Sequence, residues 1–138
     1  MKRLTSNKEC LMRRILLLAL LCLPTACSLF GSSQPRYVVF FGDGEATMDD
    51  QGRQIVAAAS DDALAHPGSS IVVAGFADPS GTVEVNAKLI RARVETVSKA
   101  ITGRGLPASR IQTRDMGQVE FALNSQESRR VVISVAPR

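Results

Sequence analysis

Cysteine is confined to the start of this sequence. Three occur, Cys10, Cys22 and Cys27, and none follows in the remainder of the 138 residues. A disulfide framework or a thiol catalyst is therefore excluded for everything after Cys27. There is one histidine, His66, set beside Pro67 where a helix should end; it reads as a surface residue. One histidine with no cysteine pair assembles no metal cluster at the usual spacing. No Gly-rich phosphate loop occurs, and the GDG at Gly42 reads as a turn. Ser69 and Ser70 lack a nucleophile elbow. There is no internal repeat. The longest apolar run, Ile15 to Leu23, falls short of the roughly 20 residues a spanning helix needs. These absences argue against an enzyme and against any cofactor.

The short run has another use. Arg13 and Arg14 precede it and Pro24-Thr25-Ala26-Cys27 follows, the order of a secretory signal peptide over residues 1–26. Small residues directly before a cysteine resemble the lipobox of bacterial lipoproteins, with Pro24 standing where that family usually has Leu. The resemblance implies cleavage before Cys27, lipidation of Cys27 and, with Ser28 next, routing to the outer membrane on its periplasmic side. Residues 27–36 then form the lipidated N-terminus and a tether: Gly31, Ser32, Ser33 and Pro35 show no periodicity. Fully extended, Ser28 to Arg36 reaches about 30 Å.

Hydrophobic residues make up 45% and charged residues 22%, so a folded core is expected. The formal net charge of +4 belongs to the leader, because twelve basic and twelve acidic residues follow Cys27. A formally neutral domain gives no support to nucleic-acid binding.

Residues 37–138 read as one α/β (α+β) domain, a two-layer sandwich in the order β-α-β-α-β-β. YVVFF from Tyr37 is a buried-type strand. A helix is expected from Met48, capped by Thr47, with Met48, Ile55, Ala59 and Ala63 on one face and Val56 and Leu64 widening it. A second strand spans Ile71 to Phe76. A second helix, about Val83 to Thr102, carries Val83, Ala87, Ile90, Val94, Val97 and Ile101 at alternating four and three. Gly103 and Gly105 supply its stop. A third strand is expected near Arg110 to Arg114, a loop from Met116 to Glu127, and a last strand from Val131 to Val135. Asp78 sits where the second strand meets its loop. Arg93 lies about 60° off the apolar stripe, at roughly 100° per residue. A carboxylate and a guanidinium meeting at such a corner suit a ligand with both an ammonium and a carboxylate.

These pieces resemble the OmpA-like C-terminal domain, the family that includes peptidoglycan-associated lipoproteins. GFADPSGTVEVNAKLIRARVETV is similar to its signature without a gap from Gly75 to Val97, and SRRVVI resembles its terminal N-R-R-V-x-[IL]. The resemblance implies non-covalent binding of peptidoglycan at the diaminopimelate of the stem peptide. By motif position, Asp78 would hold the ligand's ammonium and Arg93 its carboxylate. Thr82 would offer a hydroxyl in the same loop, and Asn86 and Arg129 would support the site. Phe76, Val85, Ile90 and Ser128 depart from the pattern. A degenerate OmpA-like domain serving protein interaction without wall binding is the alternative expectation.

Overall fold

The β-branched run Ile71-Val72-Val73 opens a strand, Ser70 to Ala77, whose every second residue is buried. In the computed structural model, which describes residues 34–119 and 125–136, this strand lies inside a four-stranded sheet. The elements are β1 (Arg36–Phe40), α1 (Asp50–Ala65), β2 (Ser70–Ala77), α2 (Val83–Gly103), β3 (Ile111–Gln118) and β4 (Arg130–Ala136). Single 3-10 turns precede β3 and β4, at Ala108–Arg110 and Ser125–Glu127. The expected signal peptide, Cys27 and most of the tether lie outside the described residues.

The strand order is β1-β4-β2-β3. β4 runs antiparallel to both β1 and β2, whereas β2 and β3 are parallel. A parallel pair needs a long crossover, and α2 supplies it. The inward residues of the strands, among them Val39, Val73 and Ile133, meet Val56, Ile90 and Val97 from the helices. Each such side chain contributes about 1.5–3 kcal/mol by leaving water. The described residues from 34 on thus close one core of their own. The predicted two-layer α/β order is observed.

Four local expectations change. α1 is capped by Asp49, whose Oδ1 accepts from Gly52 N at 2.7 Å, and not by Thr47. Leu64 is 45% exposed and does not widen the buried face. Val83 is 66% exposed, as is most of the first turn of α2, where Glu84 and Val85 are exposed too. β3 continues to Gln118, three residues into what reads as loop, since main-chain pairing with β2 carries polar residues as readily as apolar ones.

One close approach sets the distance between sheet and helix. A Cβ on Gly75 would lie 2.6 Å from Ile90 Cγ2 and 2.7 Å from Val94 Cγ2. The absence of a side chain there lets α2 lie against β2. That contact fixes where α2 presents its polar residues.

Candidate functional site

β2 ends at Ala77, and the next residues turn sharply into α2. Asp78 starts the turn: its Oδ1 accepts from Ser80 N at 2.9 Å and also from the Ser80 hydroxyl. An aspartate side chain bonded two residues on is a common turn builder. Gly81 adopts φ +84°, a left-handed conformation that glycine accepts without steric cost. Thr82 then caps α2, its Oγ1 accepting from Val85 N at 3.3 Å. One turn on, Asn86 Nδ2 reaches back to the main-chain oxygens of Asp78 at 3.0 Å and Ser80 at 2.8 Å. The turn is therefore clamped by its own first residue and by the helix that follows.

Arg93, two turns further along α2, is fully buried. Its Nε donates to the Glu45 main-chain oxygen at 2.7 Å and its Nη2 to that of Gly42 at 2.9 Å. The guanidinium lies over the Phe41 ring, 5.2 Å from its centroid. These contacts hold the loop that leaves β1. Nη1 is buried and has no hydrogen-bond partner among the described residues. Arg129 arrives from the segment before β4 and places Nη1 3.3 Å from Asp78 Oδ2.

Asp78, Asn86, Arg93 and Arg129 line one cavity of about 170 Å3, together with Asp43, Ser80, Val85 and Leu89. Thr82, the fifth residue expected from sequence, is exposed beside it and not among the lining residues. A larger depression of about 510 Å3 lies on the other side of the 42–45 loop and shares only Arg129 with this cavity.

The electrostatics keep both charges. The Ser80 hydroxyl, then the Ser80 amide and Arg129, hold the Asp78 carboxyl below the usual carboxylate range, against the opposing effect of burial. Burial and the neighbouring Arg129 push the Arg93 guanidinium down, while the carboxylates of Asp78 and Asp43 oppose them. Arginine starts so high that it stays charged at neutral pH. The residues lining the cavity therefore include an ionised carboxylate and a guanidinium whose buried Nη1 is uncommitted among the described residues. Such a pair suits a zwitterionic group.

Ser80, Asp43 and the main-chain oxygens of Gly42 and Glu45 are absent from the sequence reading. Ser80 had a signal in the Asp-Pro-Ser-Gly turn, where a bond from residue i+2 to the aspartate is common. The carbonyls had none, since any residue type supplies one. Two departures from the family pattern are explained by position. Phe76 points to the sheet face away from α2, beneath Arg130. Ile90 is buried against Gly75. Neither residue lines the cavity. Val85 does, at 58% exposure. Ser128 is fully buried, and its hydroxyl has no partner among the described residues.

The sequence model of the OmpA family matches residues 40–131. The probable lipoprotein YiaD of Escherichia coli K12 is 29% identical over 105 residues, 72% of this chain and 48% of that protein. This chain thus spans about half the length of that curated relative. Among solved structures, the OmpA-like domain of FopA1 from Francisella tularensis superposes with a TM-score of 0.67 at 23% identity, covering 74% of this chain and 71% of the other. The peptidoglycan-associated lipoprotein of Burkholderia pseudomallei gives 0.62 at 20% identity, covering 72% and 88%. At these identities the structures speak for the fold.

Proposed function

Because the chain belongs to the OmpA family, we propose that it is a lipid-anchored outer-membrane protein whose periplasmic domain binds peptidoglycan non-covalently at the diaminopimelate of the stem peptide. In this reading it tethers membrane to cell wall and catalyses nothing. The observation that carries it is that the oppositely charged Asp78 and Arg93 line one small cavity, with Arg93 Nη1 lacking a hydrogen-bond partner among the described residues. Asp78 takes the ligand's ammonium and Arg93 Nη1 one oxygen of its carboxylate. Asn86 keeps the turn in shape, Arg129 steadies Asp78, and Thr82 caps the helix that carries Asn86 and Arg93. Acylated Cys27 supplies the anchor. Supporting names among the relatives are the probable lipoprotein and the peptidoglycan-associated lipoprotein.

One observation favours the alternative, a protein-interaction module without wall binding. Arg93 is fully buried, Nη1 included, so a ligand carboxylate would have to displace neighbouring groups to reach it. A sacculus pull-down separates the two. The protein from Ser28 onward should pellet with purified sacculi saturably, and free diaminopimelate should release it. A folded protein that stays in the supernatant favours the interaction module.

A further inference from the structure

The sheet carries its helices on one side only, as the strict alternation of buried and half-buried residues along β2 and β4 records. On the other side the outward residues of all four strands form a shallow depression of about 610 Å3. Val38, Val72 and Val132 make its half-buried floor, with Phe76 toward one end. Met116, 49% exposed, stands at the same end on β3. The charged residues lining it are Arg36 from β1, Arg114 from β3 and Arg130 from β4, and no carboxylate joins them. In a domain with equal numbers of acids and bases after Cys27, that segregation is selective. Arg130 lies over the Phe76 ring at 4.4 Å and donates to the Glu127 main-chain oxygen. Among the described residues, Arg36 and Arg114 have no ion-pair partner.

We propose that this face docks an amphipathic α-helix of a partner protein, with an apolar stripe for the valine floor and Asp or Glu along its flanks for the three arginines. Charge complementarity selects an acidic partner. The width suits a helix: a cylinder about 10 Å across lies along a face four strands wide, about 14 Å at roughly 4.8 Å per strand spacing. A second copy placed face to face would set arginine against arginine. The depression shares no residue with the Asp78–Arg93 cavity, so partner and wall ligand can be held together. The inference stands whether or not the wall reading does.

The test is amide chemical-shift mapping on the protein from Ser28 onward. The probe is a designed peptide of roughly 18 residues, five helical turns, with leucine at positions i, i+3, i+4 and i+7 and glutamate on both flanks. Its controls are the same peptide with lysine for glutamate, and phosphatidylglycerol vesicles. Saturable shifts at Val72, Phe76 and Val132 with the glutamate peptide, and none with the lysine peptide, are expected. Arg36→Glu with Arg114→Glu should weaken that binding about tenfold or more and admit the lysine peptide, leaving sacculus pelleting unchanged. Equal response to both peptides, or none, overturns the proposal. Shifts with vesicles alone would make the face a membrane contact, and shifts with protein concentration alone a self-contact; either also overturns it.

Discussion

Asp78 and Arg93 carry opposite charges into one cavity yet are not ion-paired with each other. The carboxylate is held by Ser80 and Arg129, and the guanidinium by the main-chain oxygens of Gly42 and Glu45. Each charge is thus positioned independently of the other. The bonds made by Arg93 also join α2 to the loop leaving β1. Arg93→Ala would leave two carbonyls without their donor and a hole beneath Phe41. We expect a loss of about 3 kcal/mol or more, since a buried hydrogen-bonded charge is being removed from its partners. Arg93→Lys keeps a charge but not the planar fork, and should cost about 1–3 kcal/mol. Chemical denaturation decides it. Wild-type stability in both variants would show that Arg93 is no strut.

Asp78 yields a prediction with a definite sign. Its folded pKa is lowered, chiefly by the Ser80 hydroxyl. The stabilisation is therefore present above the unfolded value, about 3.9, and lost as pH falls through the folded one. Asp78→Asn should be less stable than the wild type at neutral pH, and the gap should close below about pH 4. Denaturation midpoints at neutral and acid pH measure this. A gap that widens on acidification would contradict the assigned bonds.

Asn86 ties α2 to the turn that precedes it through two bonds from one amide group. Asn86→Ala should cost about 1–3 kcal/mol, the penalty for leaving buried carbonyls unsatisfied. Hydrogen exchange in residues 78–82 should accelerate while β1 and β4 keep their protection. Uniform acceleration across the sheet would mean that the residue supports the whole core and not this turn.

Much of the fold was legible because it rests on periodicity. The branched residues from Ile71 and the four-three spacing from Ala87 to Ile101 each allow one kind of element. What failed to show was whatever rests on main chain. Arg93 stands out in the sequence as a candidate contact, but its full burial and its bonds to the carbonyls of Gly42 and Glu45 leave no mark there. β3 hides its last residues because its register with β2 shifts between the Gly75–Asp115 and Ala77–Gln118 pairs, which breaks any side-chain alternation. Asp78 and Asn86 were legible for the opposite reason. Their side chains do the turn-building, and so their residue types matter.

The start of α1 offers a clean pair of substitutions. Asp49 accepts from Gly52 N, whereas Thr47 makes no cap contact. Asp49→Ala should cost about 1 kcal/mol, and Thr47→Ala should stay within about 0.5 kcal/mol. Urea denaturation of the two single variants measures both. Equal losses would place the cap two residues earlier, as the sequence pattern alone suggests.

Gly75 links packing to the site. A methyl there would meet Ile90 Cγ2 at 2.6 Å and Val94 Cγ2 at 2.7 Å, so α2 must shift or rotate to admit it. Overpacking of this kind costs about 1–3 kcal/mol. The shift would also carry Asn86 and Arg93 away from Asp78, so under the proposed function Gly75→Ala should weaken diaminopimelate binding although residue 75 does not line the cavity. Adding Val94→Ala relieves one of the two contacts and should recover part of both losses. Calorimetric titration with diaminopimelate, beside thermal melts, separates the outcomes. Lost stability with unchanged affinity would show that the site tolerates movement of α2, and that its geometry depends on the 78–82 turn alone.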